Sequence, residues 1–230
     1  MKKRVSIIFV LFLVCSSYLT AQEKAPIRIA CVGNSITYGV GASNTSENSY
    51  VSILTRMLGN GYEVGNFGLS GATLCRGTHK PYDQTEQFRM AQEFRPDIVT
   101  IKLGTNDSQP KVWNSENFAR NMDIDLNYLC DVFESLDSKP KIYLCLPIPI
   151  VPSERWAHQA DVLEGEIIPI IKKVAEKRGY QLIDLHTPLV GCDDCYPAND
   201  KLHPGDIGHR RIADAMYEAL KEQIESNCRK

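Results

Sequence analysis

IRIACVG, residues 27–33, runs straight into Asn34-Ser35-Ile36-Thr37. Its seven residues are mostly apolar, rich in β-branched side chains, and closed by a glycine. A short run of this kind suits a strand buried on both faces, as strands of parallel sheets are. Four more runs follow: YEVGNFG (62–68), DIVTIKLG (97–104), KIYLCLPIP (141–149) and YQLIDL (180–185). Between them apolar residues recur at helical spacing. Residues 49–59 carry Tyr50, Ile53, Leu54, Met57 and Leu58, and residues 115–136 carry Phe118, Met122, Leu126, Leu129 and Phe133. Residues 161–178 carry Val162, Ile167, Ile170, Ile171 and Val174, and residues 205–226 carry Ile207, Ile212, Ala215, Met216 and Leu220. The alternation predicts a three-layer α/β/α sandwich around a mostly parallel, five-stranded sheet. Such sheets bind ligands beyond the carboxyl ends of their strands. The residues just after each run are therefore the ones to search for chemistry.

Upstream of the first run, Lys2, Lys3 and Arg4 precede the apolar stretch VSIIFVLFLV (5–14), and small and polar residues lead to Ala21-Gln22. This order reads as a secretory signal peptide, residues 1–21, cleaved after Ala21. Leu19 is an imperfect residue two places before that bond. The stretch is too short for a membrane span. Cys15 offers a lipid-anchoring alternative, although Val14 stands where a small residue is wanted. The expected protein is secreted or periplasmic, with residues 22–230 forming one domain large enough for a sizeable core. Charges nearly balance, 26 Lys plus Arg against 28 Asp plus Glu, and no basic stripe for nucleic acid is present. There are eight cysteines; losing Cys15 leaves seven, an odd number that argues against a complete disulfide framework. Cys31 and Cys145 fall inside strand-like runs and read as core residues. Cys192 and Cys195 form a C-x-x-C that is either a local disulfide or two thiols. A zinc site would need further ligands, and no second C-x-x-C exists.

Four stretches carry candidate chemistry. Ser35 stands just past the first run, where backbone N–H groups can face a developing negative charge; taken alone, a serine there reads more readily as a turn with a helix cap. After the second run, Gly68 and Gly71 in NFGLSGAT (66–73) permit backbone that aims N–H groups outward, or simply make a tight turn. After the third, Asn106 in GTND (104–107) can donate to an oxyanion or serve a turn. Near the C-terminus, Asp200-Lys201-Leu202-His203-Pro204 holds a D-x-x-H in a loop, because Pro204 disfavours helix at His203. That loop can bend the aspartate onto its own histidine, which fixes Nδ1–H and leaves Nε2 to accept a serine proton.

Taken together and in this order, GNSIT, NFGLSGAT, GTND and DKLHP resemble the four blocks of the SGNH hydrolases, the GDSL-type esterases, over residues 26–225. The resemblance implies a flavodoxin-like sheet. It implies Ser35 as nucleophile with Asp200 and His203 as acid and base. It also implies an oxyanion hole of the Ser35 N–H, the Gly71 N–H and the Asn106 amide, with no metal or organic cofactor. Asn34 departs from the family, which has Asp there, and bears on hydrogen bonding in the loop. The stretches GLSGAT, PYDQTEQF, GTNDSQPKVW and KPKIYLCLPIP are similar to the sialate O-acetylesterase-like or carbohydrate acetylesterase branch. This implies an O-acetylated sugar, or another small ester, as substrate. Tyr82, Trp113 and Trp156 are then candidate sugar-facing aromatics, with ordinary packing the alternative. A lipase, lysophospholipase or thioesterase acting on longer chains is a rival reading. So is an inactive carbohydrate-binding domain, against which every catalytic position is filled. His79, His158, His186 and His209 receive no role, and the oligomeric state stays open.

Overall fold

The computed structural model describes residues 25–113 and 121–228, with side chains as far as Lys221. The leader segment with Cys15, and Phe118, lie outside the described residues. From the amino end come β1 (Ile27–Gly33), α1 (Ser35–Tyr38), α2 (Thr45–Asn48), α3 (Tyr50–Leu58), β2 (Tyr62–Gly68), α4 (Glu86–Glu93) and β3 (Ile98–Lys102). Then follow α5 (Met122–Glu134), β4 (Lys141–Leu146), α6 (Ala160–Val162), α7 (Ile168–Arg178), β5 (Gln181–Asp184) and α8 (Asp206–Cys228). A wide π-type turn, Leu163–Ile167, joins α6 to α7.

The five strands form one sheet in the order β2-β1-β3-β4-β5, and every pair is parallel. Alternate side chains point to opposite faces. Ala30, Val32, Val99, Ile101, Ile142 and Leu144 share a core with Phe88 of α4, Leu126 and Phe133 of α5, and Ile171 of α7. Ile29, Cys31, Ile98, Tyr143, Cys145 and Ile183 share the other with Leu54 of α3 and Met216 of α8. The expected sandwich of helices on both faces of a parallel sheet is what forms.

Three details differ from the sequence reading. The outer strands β2 and β5 are not buried on both faces: only Phe67 and Gly68 of β2, and only Ile183 of β5, are buried. Each has a hydrogen-bonding neighbour on one side alone, so its sequence needs less apolar surface. Helix α4 went unpredicted because EQFRMAQE turns only Phe88 and Ala91 inward; its start is marked by Thr85, whose hydroxyl accepts the Phe88 N–H at 3.3 Å. Ile207, placed on the buried stripe of the last helix, is 53% exposed.

Strand order reverses between β1 and β3, so a crevice opens at the carboxyl ends of these two strands. Among the described residues no helix is long and apolar enough to cross a membrane.

Candidate active site

Each strand delivers a residue to that crevice. β1 ends at Gly33, and α1 begins two residues later with Ser35. Asn34 caps the helix, its Oδ1 accepting the Ile36 N–H at 3.1 Å. The junction leaves no room for side chains. A Cβ on Gly33 would meet Thr37 Oγ1 at 2.1 Å, and one on Gly68 would meet the Tyr38 nitrogen at 2.1 Å. Ser35 is thereby pinned at the rim, 7% exposed.

The loop after β2 turns at Gly71, whose φ of 80° lies in the left-handed region that glycine adopts without strain. Its course is fixed from below by buried Asp107, whose carboxylate accepts the N–H groups of Leu74 (2.9 Å) and Cys75 (2.8 Å). Burial pushes the Asp107 carboxyl up, and these hydrogen bonds oppose that. After β3, Asn106 donates from Nδ2 to the Ala72 carbonyl at 2.8 Å. Among the described residues the N–H groups of Ser35 and Gly71 donate to no protein acceptor.

Beyond β5, His203 Nε2 stands 3.0 Å from Ser35 Oγ, and its Nδ1 stands 2.8 Å from Asp200 Oδ2. The other Asp200 oxygen accepts the N–H groups of Leu202 and His203, both at 3.2 Å, and the Trp156 indole N–H at 2.8 Å. Burial alone would raise the Asp200 pKa. The hydrogen bonds from the His203 ring and from the two backbone N–H groups outweigh it and hold the carboxyl below its ordinary range. Trp156 also lies edge-on to the His203 ring, centroids 5.2 Å apart. Ser35, Gly71, Asn106, Trp156, His158 and His203 together line a cleft of about 490 Å³. A larger hollow of about 810 Å³, bounded by Tyr38, Thr45, Gln87 and Met90, holds no nucleophile–base pair. We take the smaller cleft as the site because the chemistry converges there.

The structure thus brings Ser35, Gly71, Asn106, Asp200 and His203 together, and it corrects two of the three aromatic assignments. Tyr82 is fully buried, donates its hydroxyl to the Phe67 carbonyl at 2.6 Å and packs edge-on against Phe88. Trp113 is 6% exposed and belongs to the α4–α5–α7 core. Both rings turn inward because the segments bearing them cover that core. Only Trp156 reaches the cleft, and there it holds Asp200. Cys192 and Cys195 form a disulfide, while Cys31 and Cys145 are buried thiols. Among the described residues no group of three or more His, Cys, Asp or Glu side chains could hold a metal ion.

Two residues escaped the sequence reading. Lys102 is 1% exposed beneath α1, its Nζ 3.4 Å from Asn34 Oδ1, and burial lowers its pKa to about 7. His158 Nε2 lies 3.2 Å from Asn106 Oδ1. Burial first, then the nearness of His203 and Lys111, push that imidazole down to about 4. The only signal in the sequence was its place after a strand end. Of the other histidines, His79 lines the cleft, whereas His186 faces the Pro147 carbonyl. His209 is buried, accepting the Tyr50 N–H on Nδ1, so Nε2–H donates to Val40 O.

A family model described as the GDSL-like lipase/acylhydrolase family matches residues 31–211. An acetylxylan esterase from Xylanibacter ruminicola is 35% identical over 217 residues, 88% of this chain and 45% of that protein. The chain therefore spans under half the length of that relative. A putative arylesterase from Agrobacterium tumefaciens superposes with a TM-score of 0.67 at 19% identity, covering 85% of this chain and 99% of the other. A carbohydrate acetylesterase family member from Sinorhizobium meliloti does so with 0.67 at 18% identity, covering 86% and 99%. At such identities these two likenesses speak to the fold alone.

Proposed function

The chain belongs to the GDSL-like lipase/acylhydrolase family, and from that premise we propose that it is a serine esterase removing O-acetyl groups from carbohydrate. The observation that carries the reading is the unbroken hydrogen-bonded line Ser35 Oγ, His203 Nε2, His203 Nδ1, Asp200 Oδ2 at 3.0 and 2.8 Å. Asp200 accepts the Nδ1–H, which leaves the Nε2 lone pair facing the serine hydroxyl. His203 takes that proton as Ser35 Oγ bonds to the ester carbonyl carbon. The carbonyl oxygen becomes an oxyanion held by the N–H groups of Ser35 and Gly71 and the Asn106 amide. Collapse breaks the bond to the sugar oxygen, which leaves with the proton from His203. Water, deprotonated by the same ring, bonds to the acyl carbon; the bond to Ser35 Oγ breaks, His203 returns the proton to that oxygen, and acetate leaves.

The sugar part of the proposal rests on the acetylxylan esterase relative and on the wording of residues 68–113 and 139–149. Residues 22–230 acting as one domain, exported by the leader, complete it. The test is acetate release from acetylated xylo-oligosaccharides by the wild type and by Ser35→Ala. Turnover in the wild type and a loss of about four to six orders of magnitude in the variant, with unchanged melting, is the expected pair. Near-normal release by Ser35→Ala would end the nucleophile assignment.

A further inference from the structure

The loop after β4 touches the cleft at two separate points. Trp156 holds Asp200, and His158, two residues on, faces Asn106. The amide of Asn106 has its orientation set by Ala72. Nδ2 donates to that carbonyl at 2.8 Å, so Oδ1 is the atom turned towards His158 Nε2, 3.2 Å away. An amide oxygen only accepts. The contact is therefore a hydrogen bond only when Nε2 carries the proton.

We propose that His158, neutral and protonated on Nε2, is a positioning residue that donates to Asn106 Oδ1 and holds the second Nδ2–H of Asn106 towards the oxyanion. The inference rests on the esterase reading above. Planarity of the amide does the work: with Oδ1 held by His158 and one N–H held by Ala72, the remaining N–H has a single direction. Neutrality matters as much as geometry. His203 must become an imidazolium during acylation, and a second cation beside it would oppose that. Burial, His203 and Lys111 keep the His158 ring uncharged at neutral pH. Its edge-on contact with Trp156, centroids 6.1 Å apart, fixes the ring plane.

One neighbour competes. Gln109 Nε2 lies 3.1 Å from the same ring nitrogen. A Gln109 N–H donating there would require a bare Nε2 and would leave Asn106 Oδ1 facing a lone pair. The two side-chain ends of an amide differ little in shape. Turned over, Gln109 presents its oxygen and shares the Nε2–H with Asn106.

The experiment is a mutant cycle with a nitrogen spectrum of the ring. His158→Ala should lower kcat roughly tenfold with KM unchanged, the worth of one orienting hydrogen bond, and His158→Gln, which keeps an N–H, should recover most of it. In an Asn106→Ala background, His158→Ala should cost nothing further. An equal loss in both backgrounds, or a raised KM with kcat intact, would overturn the proposal by showing that His158 acts through something other than Asn106. The ¹⁵N shifts of His158 should report Nε2–H with a bare Nδ1; the opposite tautomer overturns the proposal. Because that spectrum needs no turnover, a wild type that released no acetate would sink the esterase reading while the hydrogen bond was still decided.

Discussion

Of the three aromatic residues singled out in the sequence, Trp156 alone lines the cleft, and there it contacts the triad. Its ring lies against His203 and its N–H donates to Asp200. Trp156→Phe leaves a smaller aromatic ring beside His203 and removes the indole N–H donor. A hydrogen bond to a charged group is worth about 1.5–3 kcal/mol, so kcat should fall roughly ten- to a hundredfold. An unchanged kcat would mean that the Leu202 and His203 N–H groups suffice to hold the carboxylate. Lys102 supports a prediction about stability. Its folded pKa is about 7 against an ordinary 10.5. Between those values the unfolded chain holds a proton that the folded protein lacks, so this group's contribution to stability rises with pH across that window. Below it the fold must carry a buried ammonium and the penalty is complete. Lys102→Met removes the amine, so its gain in Tm should be larger at about pH 6 than at about pH 10. Equal gains in thermal melts at both would show that the amine does not titrate in that range.

At the scale of elements, the site depends on how closely the β1 and β2 ends approach α1. Gly68→Ala would drive a Cβ to within 2.1 Å of the Tyr38 nitrogen, a backbone atom that cannot swing aside. The helix bearing Ser35 has to move, at a cost of about 1–3 kcal/mol in stability and with a loss of activity. Gly71→Ala is a different case: the nearest atom to its Cβ would be Lys80 Nζ at 3.8 Å, but the φ of 80° is left-handed. That change costs about 1–2 kcal/mol of backbone strain without displacing α1. Melting and esterase assays on the two variants should show both less stable, with Ser35 reactivity damaged in Gly68→Ala even at temperatures where it is fully folded. Retained reactivity there would mean that α1 tolerates the shift. The element missed from the sequence, α4, and the strands judged too apolar, β2 and β5, share a cause. All lie at the margins of the sheet, where burial demands little and leaves a weak pattern.

For the whole molecule, the proposed reading requires a cleft of about 490 Å³ to hold an acyl group together with the sugar that would carry it. Its walls come from loops after every strand, and buried side chains such as Asp107 and Leu202 anchor them. A methylene that fits gains about 0.8 kcal/mol, whereas one that is forced in costs about 1–3 kcal/mol. In a p-nitrophenyl ester series kcat/KM should therefore fall from acetyl through butyryl to octanoyl. A profile rising with chain length would reveal an acyl groove and favour a lipase.

Sequence by itself determined the central strands β1, β3 and β4, most of the helices, and the order in which Ser35, Gly71, Asn106, Asp200 and His203 leave the strand ends. Burial on both faces writes continuous apolar runs, and chemistry at strand ends writes local motifs; both are legible within a few residues. Tertiary structure alone decided that Tyr82 and Trp113 belong to the core. It alone joined Trp156 to Asp200 across 44 positions and His158 to Asn106 across 52. The reason is physical: a partner that far along the chain is chosen by how loops land on the sheet, and no local spacing records where they land.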